Sequence, residues 1–388
     1  MSSVTSMPIS SLKGKTILQI LPNLQQGGVE RGTVDMAQAI IKAGGTALVI
    51  SGGGPMEAQI KRIGGEHITL AVRSKNPIRW PRIRHKLRQV MLQHKVDLVH
   101  IRSRAPAWIG IPAARALNIP VVTTVHGRFK ATNIFKKYYN SIMTRADRVI
   151  AISQYVSDLI TKQFPKAVDK TVTIHRGVNV DMFNPQSVNA QRTINAANTL
   201  NVDENKKIIM LPARPTLWKG QEAMISAMAK LSDKDAILIL VGAAAGHEGF
   251  QSKLIAHISS NQVEGRVIFA PETSDMPATM MLADVVVMPS ITPEPFGRIA
   301  IEAQAMGRPV VAFNHGGATE SIIDKETGWL AKPDDIDDLA DAVDQALALK
   351  PRARQQFSKR ARQHVIDHFS TDLMEAKTLA VYLTLLKS

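Results

Sequence analysis

The segment EPFGRIAIEAQAMGRPVVAFNHGG, Glu294 to Gly317, places two carboxylates, Glu294 and Glu302, around a short apolar turn. Only Pro, Phe, Gly, Arg, Ile and Ala separate them. An ionised carboxylate accepts two hydroxyl hydrogen bonds, which suits the vicinal diol of a sugar or a ribose. The preceding VVVMPS, Val285 to Ser290, reads as a buried strand and ITPEP as a turn. A helix is expected from about Phe296–Gly297 to Met306. Glu294 then lies in the loop at the helix N-terminus, and Glu302 more than a turn inside it. In that placement two acids can hold two rings of one ligand. The helix dipole alone accounts for an acid at Glu294. It accounts poorly for Glu302, which is flanked by Ile301 and Ala303.

Two further segments carry chemistry. LPARPTLWKG, Leu211 to Gly220, closes a strand and presents Arg214 and Lys219. Two cations in a strand-end loop, ahead of a helix beginning near Gly220, are placed to hold a pyrophosphate. LPNLQQGGVERGT leaves the first strand and opens the first helix through Gly27 and Gly28, which let a ligand approach backbone N–H groups. The G-x-G-x-x-G spacing of dinucleotide-binding proteins is absent there, so a plain strand-to-helix turn is the competing reading. Asp233-Lys234-Asp235 has the D-x-D spacing of metal-dependent sugar transfer. It precedes a buried strand and is read as a turn. The 11 histidines show no metal-ligand spacing, and with no cysteine there is no thiolate site, disulfide or cysteine nucleophile. No metal is expected.

These loops need a frame, and the chain supplies strand-like and helix-like segments in alternation. Val- and Ile-rich runs occur at Ile17–Leu21, Thr46–Ile50, Leu98–Ile101, Val121–Val125, Val149–Ile152 and Val172–Ile174. Helical periods fill Val29–Lys42, Arg82–Gln93, Ala105–Leu117 and Phe135–Arg145. The Asn-rich, aperiodic stretch 181–204 reads as a linker. Alternation resumes at Ile208–Leu211, Ile237–Val241, Val267–Ala270, Val285–Met288 and Val310–Phe313. Near-continuous apolar strands separated by helices indicate parallel sheets covered on both faces. The expected fold is α/β, with two doubly wound Rossmann-like domains facing across a cleft, 1–180 and 181–388. The terminal helix, about 371–388, is expected to pack back on the first domain. At 388 residues the chain suits two cores.

Charge is unevenly shared. Residues 1–190 carry 27 Lys and Arg against 9 Asp and Glu, a net of +18, and residues 191–388 carry 21 against 24, a net of −3. The first half should therefore seek an anionic partner, although lysine-rich solvated faces are also common. RSKNPIRWPRIRHKLRQV, Arg73 to Val90, and GRFKATNIFKKYYNSIMTR, Gly127 to Arg145, mix cations with Trp80, Phe135, Tyr138 and Tyr139, candidates to enter lipid headgroups. No nucleic-acid motif accompanies them, and no nucleic-acid partner is expected. The first residues lack the apolar run of a signal peptide, and no apolar segment reaches about 18 residues. The expected place is the cytoplasm, peripheral on the inner face of the membrane.

The motif E-P-F-G-R-I-A-I-E resembles the E-x7-E element of the family 4 retaining glycosyltransferases, which have the GT-B architecture. Nearly the whole chain shares the resemblance. The Gly27–Gly28 turn, R-x4-K-G at Arg214 and Lys219-Gly220, VTTVHGRF with His126, and NHGGATESI each look like a family element, in order. The resemblance implies that Arg214 and Lys219 neutralise the donor diphosphate, that Glu302 binds the nucleotide ribose, and that Glu294 binds the transferred sugar with the backbone near Phe296 and Gly297. It also implies that Gly27, Gly28 and Arg298 belong with the donor, and that Arg102, Arg104, His126 and Arg176 serve the acceptor, with His126 near the reacting centre. IHRGVNVDMF departs from the family pattern, carrying Arg176 in place of Asn and Asn179 in place of Asp.

The expected activity is transfer of a sugar, with retention and without a metal or other cofactor, from a nucleotide-diphosphate sugar. The expected acceptor is anionic or lipid-linked, of the lipopolysaccharide or surface-polysaccharide kind, at an anionic membrane surface. VHIRSRAPAWIG and KKYYNSIMTRADRVIAIS are similar to segments of bacterial enzymes of that class. Two alternatives stay open: a nucleotide-sugar 2-epimerase of the same fold, and a non-catalytic basic protein that binds membrane or nucleic acid.

Overall fold

Among the described residues, seven strands of the first unit run parallel. The computed structural model describes residues 11–25, 27–129, 133–202, 205–242 and 248–387, without the side chain of Glu248. Residues 1–10, where no leader was read, lie outside the described residues. So do Gln26 before the Gly27 turn, 130–132 of the second cationic segment and 203–204 of the Asn-rich stretch. The chain divides into two units, Met1–His175 with Thr371–Ser388, and Arg176–Ser370.

In the first unit the strands are β1 (Thr16–Ile20), β2 (Thr46–Ser51), β3 (Glu66–Thr69), β4 (Leu98–Ile101), β5 (Val121–Val125), β6 (Arg148–Ala151) and β7 (Thr171–Thr173). Among the described residues they form one sheet in the order β3-β2-β1-β4-β5-β6-β7. Strands β4 and β5 are buried along their whole length, as helices on both faces require of a parallel sheet. The order reverses at β1, between β2 and β4. In such sheets ligands settle at that reversal, outside the carboxyl ends of the strands. The terminal helix Thr371–Leu386 belongs to this unit because its Tyr382 is fully buried against β4. The Tyr382 hydroxyl lies 2.5 Å from His100 Nδ1, and His100 Nε2 lies 2.6 Å from Thr124 Oγ1. Burial, and then the charges of Arg102 and His126, hold the His100 pKa well below its ordinary value. The imidazole is therefore neutral at physiological pH, and both of its nitrogens are hydrogen-bonded.

The second unit has β8 (Ile208–Pro212), β9 (Ile237–Val241), β10 (Val267–Ala270), β11 (Val285–Met288), β12 (Val310–Phe313) and β13 (Trp329–Ala331), ordered β10-β9-β8-β11-β12-β13. Alternate residues feed two cores. Ile209, Leu211, Leu238 and Leu240 pack on one face of the sheet, while Ile208, Met210, Ile237 and Ile239 pack on the other. The reversal here falls at β8, between β9 and β11.

One expectation is corrected. The Asn-rich stretch 181–204 is not aperiodic linker throughout, because it contains the helix Ala190–Leu200. Two of its asparagines, Asn189 and Asn201, are the ends of this helix. The Asn189 side chain accepts from Arg192 N at 2.9 Å, and Asn201 closes the helix in the left-handed conformation at φ 50°. Only Leu200 is fully buried, so the apolar stripe is too thin to show as a period.

Candidate active site

In the second unit the loops after β8, β11 and β12 meet. Lys219 ends a single 3-10 turn, Leu217–Lys219, and Gly220 then opens the helix Gln221–Lys230. Ile291 N donates to Trp218 O at 3.0 Å, which ties the β8 loop to the β11 loop. That tie brings Lys219 Nζ to 2.8 Å from Glu294 Oε1. Ser290 Oγ donates to the same oxygen at 2.5 Å. Glu294 is buried, so a cation and a hydroxyl converge on one nearly desolvated carboxylate. Lys219 Nζ also sits 4.2 Å from the Trp218 ring centroid, a cation–π contact that fixes the ammonium from a second side.

The glycines of NHGG hold this loop from behind. Gly317 N donates to Glu294 O at 2.9 Å. A Cβ on Gly316 would lie 2.5 Å from Glu294 O, and one on Gly317 would lie 2.3 Å from Phe296 Cα. Backbone thus packs on backbone with no room for a side chain. Gly297, at φ 84°, turns the chain into the helix Arg298–Ala305. Inside that helix Glu302 is buried, and Arg298 NH2 donates to its Oε1 at 2.6 Å. Burial raises the Glu302 pKa, and the Arg298 guanidinium opposes the rise. Arg214 follows β8 with its side chain exposed, and its carbonyl accepts from Gln221 Nε2 at 3.1 Å.

In the first unit a cavity of about 300 Å³ opens at the carboxyl ends of β1, β4 and β5, at the strand-order reversal. Glu30, Arg102, Arg104, Thr124 and His126 line it. Arg102 is buried, and its Nε and NH2 both donate to Gln19 Oε1, at 3.0 and 2.7 Å. One edge of its guanidinium is therefore held by β1. Arg104 is exposed, with NH1 donating to Asn140 Oδ1 at 2.8 Å. Gly27 caps the helix Gly28–Lys42, and Glu30 in its first turn brings a carboxylate to the cavity.

The site residues named from the sequence therefore fall into two constellations. Arg214, Lys219, Glu294, Phe296, Gly297, Arg298 and Glu302 are gathered in the second unit. Arg102, Arg104 and His126 share the cavity of the first. Gly27 and Gly28, grouped above with the donor residues, lie in the first unit. Arg176, grouped with the acceptor residues, is a buried residue of the second. Ser290 and Glu30 were missed. Ser290 reads as a strand end, and Glu30 as an acid favoured by a helix dipole. Asp233 Oδ1 accepts from Asp235 N at 3.1 Å in a turn ahead of β9, at the opposite end of the strand from the site loops. No group of three or more His, Asp or Glu side chains is close enough to hold a metal among the described residues.

Two doubly wound parallel sheets, with a lysine–glutamate pair at the carboxyl ends of one and a basic cavity at those of the other, define a glycosyltransferase of GT-B fold. The family models agree. Residues 193–364 match Glycosyl transferases group 1, and residues 26–182 match Glycosyltransferase Family 4. A glycosyltransferase crystal structure from Rickettsia africae ESF-5 is 35% identical, with TM-score 0.89, over 96% of this chain and 99% of that one. The chain belongs to this glycosyltransferase family. It also shares the fold of Anabaena Alr3699/HepE in complex with UDP and glucose, at 23% identity and TM-score 0.81, over 95% of this chain and 100% of that one. A curated relative, the D-inositol 3-phosphate glycosyltransferase of Corynebacterium diphtheriae, is 28% identical over 70% of this chain and 66% of its own length.

Proposed function

We propose that the protein is a retaining, metal-independent glycosyltransferase that moves a sugar from a nucleotide-diphosphate sugar to an anionic or lipid-linked saccharide of the lipopolysaccharide or surface-polysaccharide class. The observation that carries the reading is the Lys219–Glu294 pair, seated on the Gly316–Gly317 turn at the carboxyl ends of β8, β11 and β12. The UDP and UDP-glucose complexes of HepE favour a nucleoside diphosphate in the donor role.

In the reaction the bond from the sugar C1 to the distal phosphate oxygen breaks, and the electron pair leaves with the diphosphate. Lys219 and Arg214 neutralise that developing charge, and preorganised cations aimed at a leaving group lower the barrier without a metal. When Lys219 turns to the diphosphate, Glu294 is released to accept hydroxyls of the transferred sugar. Glu302, set deeper, accepts the ribose hydroxyls. The acceptor hydroxyl attacks C1 from the face the diphosphate leaves, and its proton passes to a leaving phosphate oxygen. Configuration is then retained without a covalent sugar–enzyme bond. His126, Arg102 and Arg104 take the acceptor in the first unit, where the cavity's cations suit an anionic saccharide. The charge of that unit favours work at an anionic membrane surface on the cytoplasmic side. Among the described residues no helix is long and apolar enough to cross a membrane.

The test is a panel of nucleotide sugars incubated with bacterial lipid extract in excess EDTA, with product anomers read by NMR. The expected product is a glycolipid of retained configuration. Inversion, or activity lost to EDTA and restored by Mg²⁺ or Mn²⁺, overturns the mechanism. An altered free nucleotide sugar formed without acceptor makes the protein an epimerase.

A further inference from the structure

A second cavity of the first unit, about 500 Å³, lies at the amino ends of β5, β6 and β7, away from the carboxyl ends that carry His126. Arg115, Arg145, Lys166 and Lys170 line it, beside Phe164 and Pro165, and no carboxylate does. Burial, and then the charge of Arg115, lower the Lys170 pKa, while Asp147 opposes them. Asp147 is the only acid within residues 101–150, and its Oδ2 is occupied by Val121 N at 2.7 Å. Arg145 is fixed from outside the cavity. Its guanidinium carbon is 5.4 Å from the Trp108 ring centroid and 5.3 Å from that of Tyr138.

The same contacts join the cavity to an exposed apolar face. Trp108 stacks on Trp80 at 5.8 Å and on Tyr139 at 6.3 Å, and Trp80 Nε1 donates to Ser74 O at 2.9 Å. Trp80 and Tyr139 are therefore half-buried stacking partners of Trp108 rather than exposed side chains. The residues that do project are on the helix Ile134–Ser141. Ile134 is 77% exposed, Phe135 81% and Tyr138 58%, and their i, i+3 and i+4 spacing puts them on one side. Lys136 and Lys137 lie on the same helix. Val168, 52% exposed, lies between the lining residues Lys166 and Lys170 in sequence. A cavity lined by four basic residues, one of which, Arg145, contacts the exposed Tyr138 of an apolar helix face, matches a phosphate attached to hydrocarbon. A free, fully hydrated anion makes no use of the apolar face.

We propose that this cavity binds the phosphate of an anionic membrane lipid, with Ile134, Phe135, Tyr138 and Val168 entering the headgroup region around it. The proposal rests on the reading that the acceptor is membrane-borne, and it adds a lipid site apart from both substrate constellations. The full-length protein is titrated with vesicles of phosphatidylcholine and phosphatidylglycerol, and with pure phosphatidylcholine. Wild type should prefer the anionic vesicles. Lys166→Gln/Lys170→Gln should weaken binding about thirtyfold, from two cations at about 1 kcal/mol each. Phe135→Ser, at an exposed position, should weaken it about tenfold. Lys61→Gln/Arg62→Gln removes equal charge from the exposed helix Glu57–Arg62 beside β3, the far edge of the same sheet, and should change binding less than threefold.

Equal losses in the two charge variants would mean diffuse attraction and overturn the site, as would no preference for anionic vesicles. Thermal stabilisation of wild type, but not of Lys166→Gln/Lys170→Gln, by glycerol 3-phosphate with unchanged vesicle binding would make the ligand a soluble phosphate and also overturn it. Sugar transfer to lipid extract with vesicle binding unaffected by the cavity variants defeats this proposal alone. Transfer only to a soluble acceptor, with cavity-dependent vesicle binding, defeats the acceptor reading alone.

Discussion

Replacing Gly317 by alanine tests whether the position of the Glu294 loop sets the rate. Gly317 has an ordinary helical φ of −71°, so the added methyl brings no backbone strain. Its Cβ would lie 2.3 Å from Phe296 Cα and 2.6 Å from Phe296 O. Ordinary contact begins at 3.4 Å, so the two backbones must part by about 1 Å, a displacement that can lower turnover about 10²-fold when it reaches a reacting group. Overpacking should lower stability by about 1–3 kcal/mol. Gly316→Ala adds a second term, because Gly316 has φ 60° and the left-handed region costs about 1–2 kcal/mol for alanine. Gly265→Ala is the control for strain alone. Its φ is 75° and nothing lies within 4 Å of its added Cβ, so it should lose about 1–2 kcal/mol of stability with full turnover. The assay pairs kcat on the nucleotide sugar with thermal unfolding of each variant. Turnover of Gly317→Ala within twofold of wild type would refute the assignment of the Glu294 loop to the reacting centre.

Glu302→Gln should raise the donor KM more than it lowers kcat and should weaken binding of the bare nucleoside diphosphate, while Glu294→Gln should lower kcat without weakening that binding, since it releases Lys219. Calorimetry beside steady-state kinetics decides, and the reverse pattern would exchange the two carboxylates between ribose and sugar. Lys219→Ala and Arg214→Ala should each reduce turnover about 10²-fold or more with the fold intact by circular dichroism; wild-type rates in both would remove the cations from the mechanism. Glu375 of the terminal helix is pushed up to about 8, first by burial and then by Asp35 and Asp372. A raised carboxyl pKa gives stability that is complete below about 4.5 and is lost as pH rises toward 8. Glu375→Gln should therefore match wild type near pH 4.5 and exceed it by about 1–2 kcal/mol above pH 8, after allowance for solvent at a part-buried side chain; denaturant midpoints that differ equally at both pH values would contradict this.

The strands that carry site loops were legible because parallel sheets bury both faces, which writes them as unbroken apolar runs such as ILILV and VVVM. Strands β3 and β13 were not legible. Glu66–Thr69 is an edge strand with exposed ends, and Trp329–Ala331 is an edge of three residues. Neither is long enough to show a period against its polar flanks. The domain limit also differs. The sequence places it at 180, where the polar stretch begins, and the structure divides the chain at 175 and again at 370. The second division falls where the terminal helix, about 371–388, was expected to return to the first domain; the contact that holds it there, Tyr382 to His100 across 282 residues, is announced by no local pattern.

The site shows the same division between local and distant information. E-x7-E and R-x4-K-G are local spacings, and each was visible as a motif. That Lys219 and Glu294 form one pair was not, because it depends on Ile291 bonding Trp218 and on Gly317 bonding Glu294 across the sheet. The pairing changes how the motifs are read. Separately, the motifs are proposed as a phosphate clamp and a sugar ligand. Joined at 2.8 Å, each neutralises the other until a diphosphate competes for Lys219. A buried carboxylate stripped of its cation becomes a stronger acceptor. On the proposed reading, donor phosphate and donor sugar are then recognised in one step, the cation that takes the phosphate being the one that uncovers the acid for the sugar. Lys219→Ala therefore leaves Glu294 buried without its cation, so it removes more than one charge from the diphosphate. Its effect on sugar selectivity should exceed that of Arg214→Ala, whose exposed guanidinium has no carboxylate partner among the described residues. Equal selectivity in the two variants, measured as the ratio of kcat/KM for two nucleotide sugars differing at one hydroxyl, would separate the two motifs again.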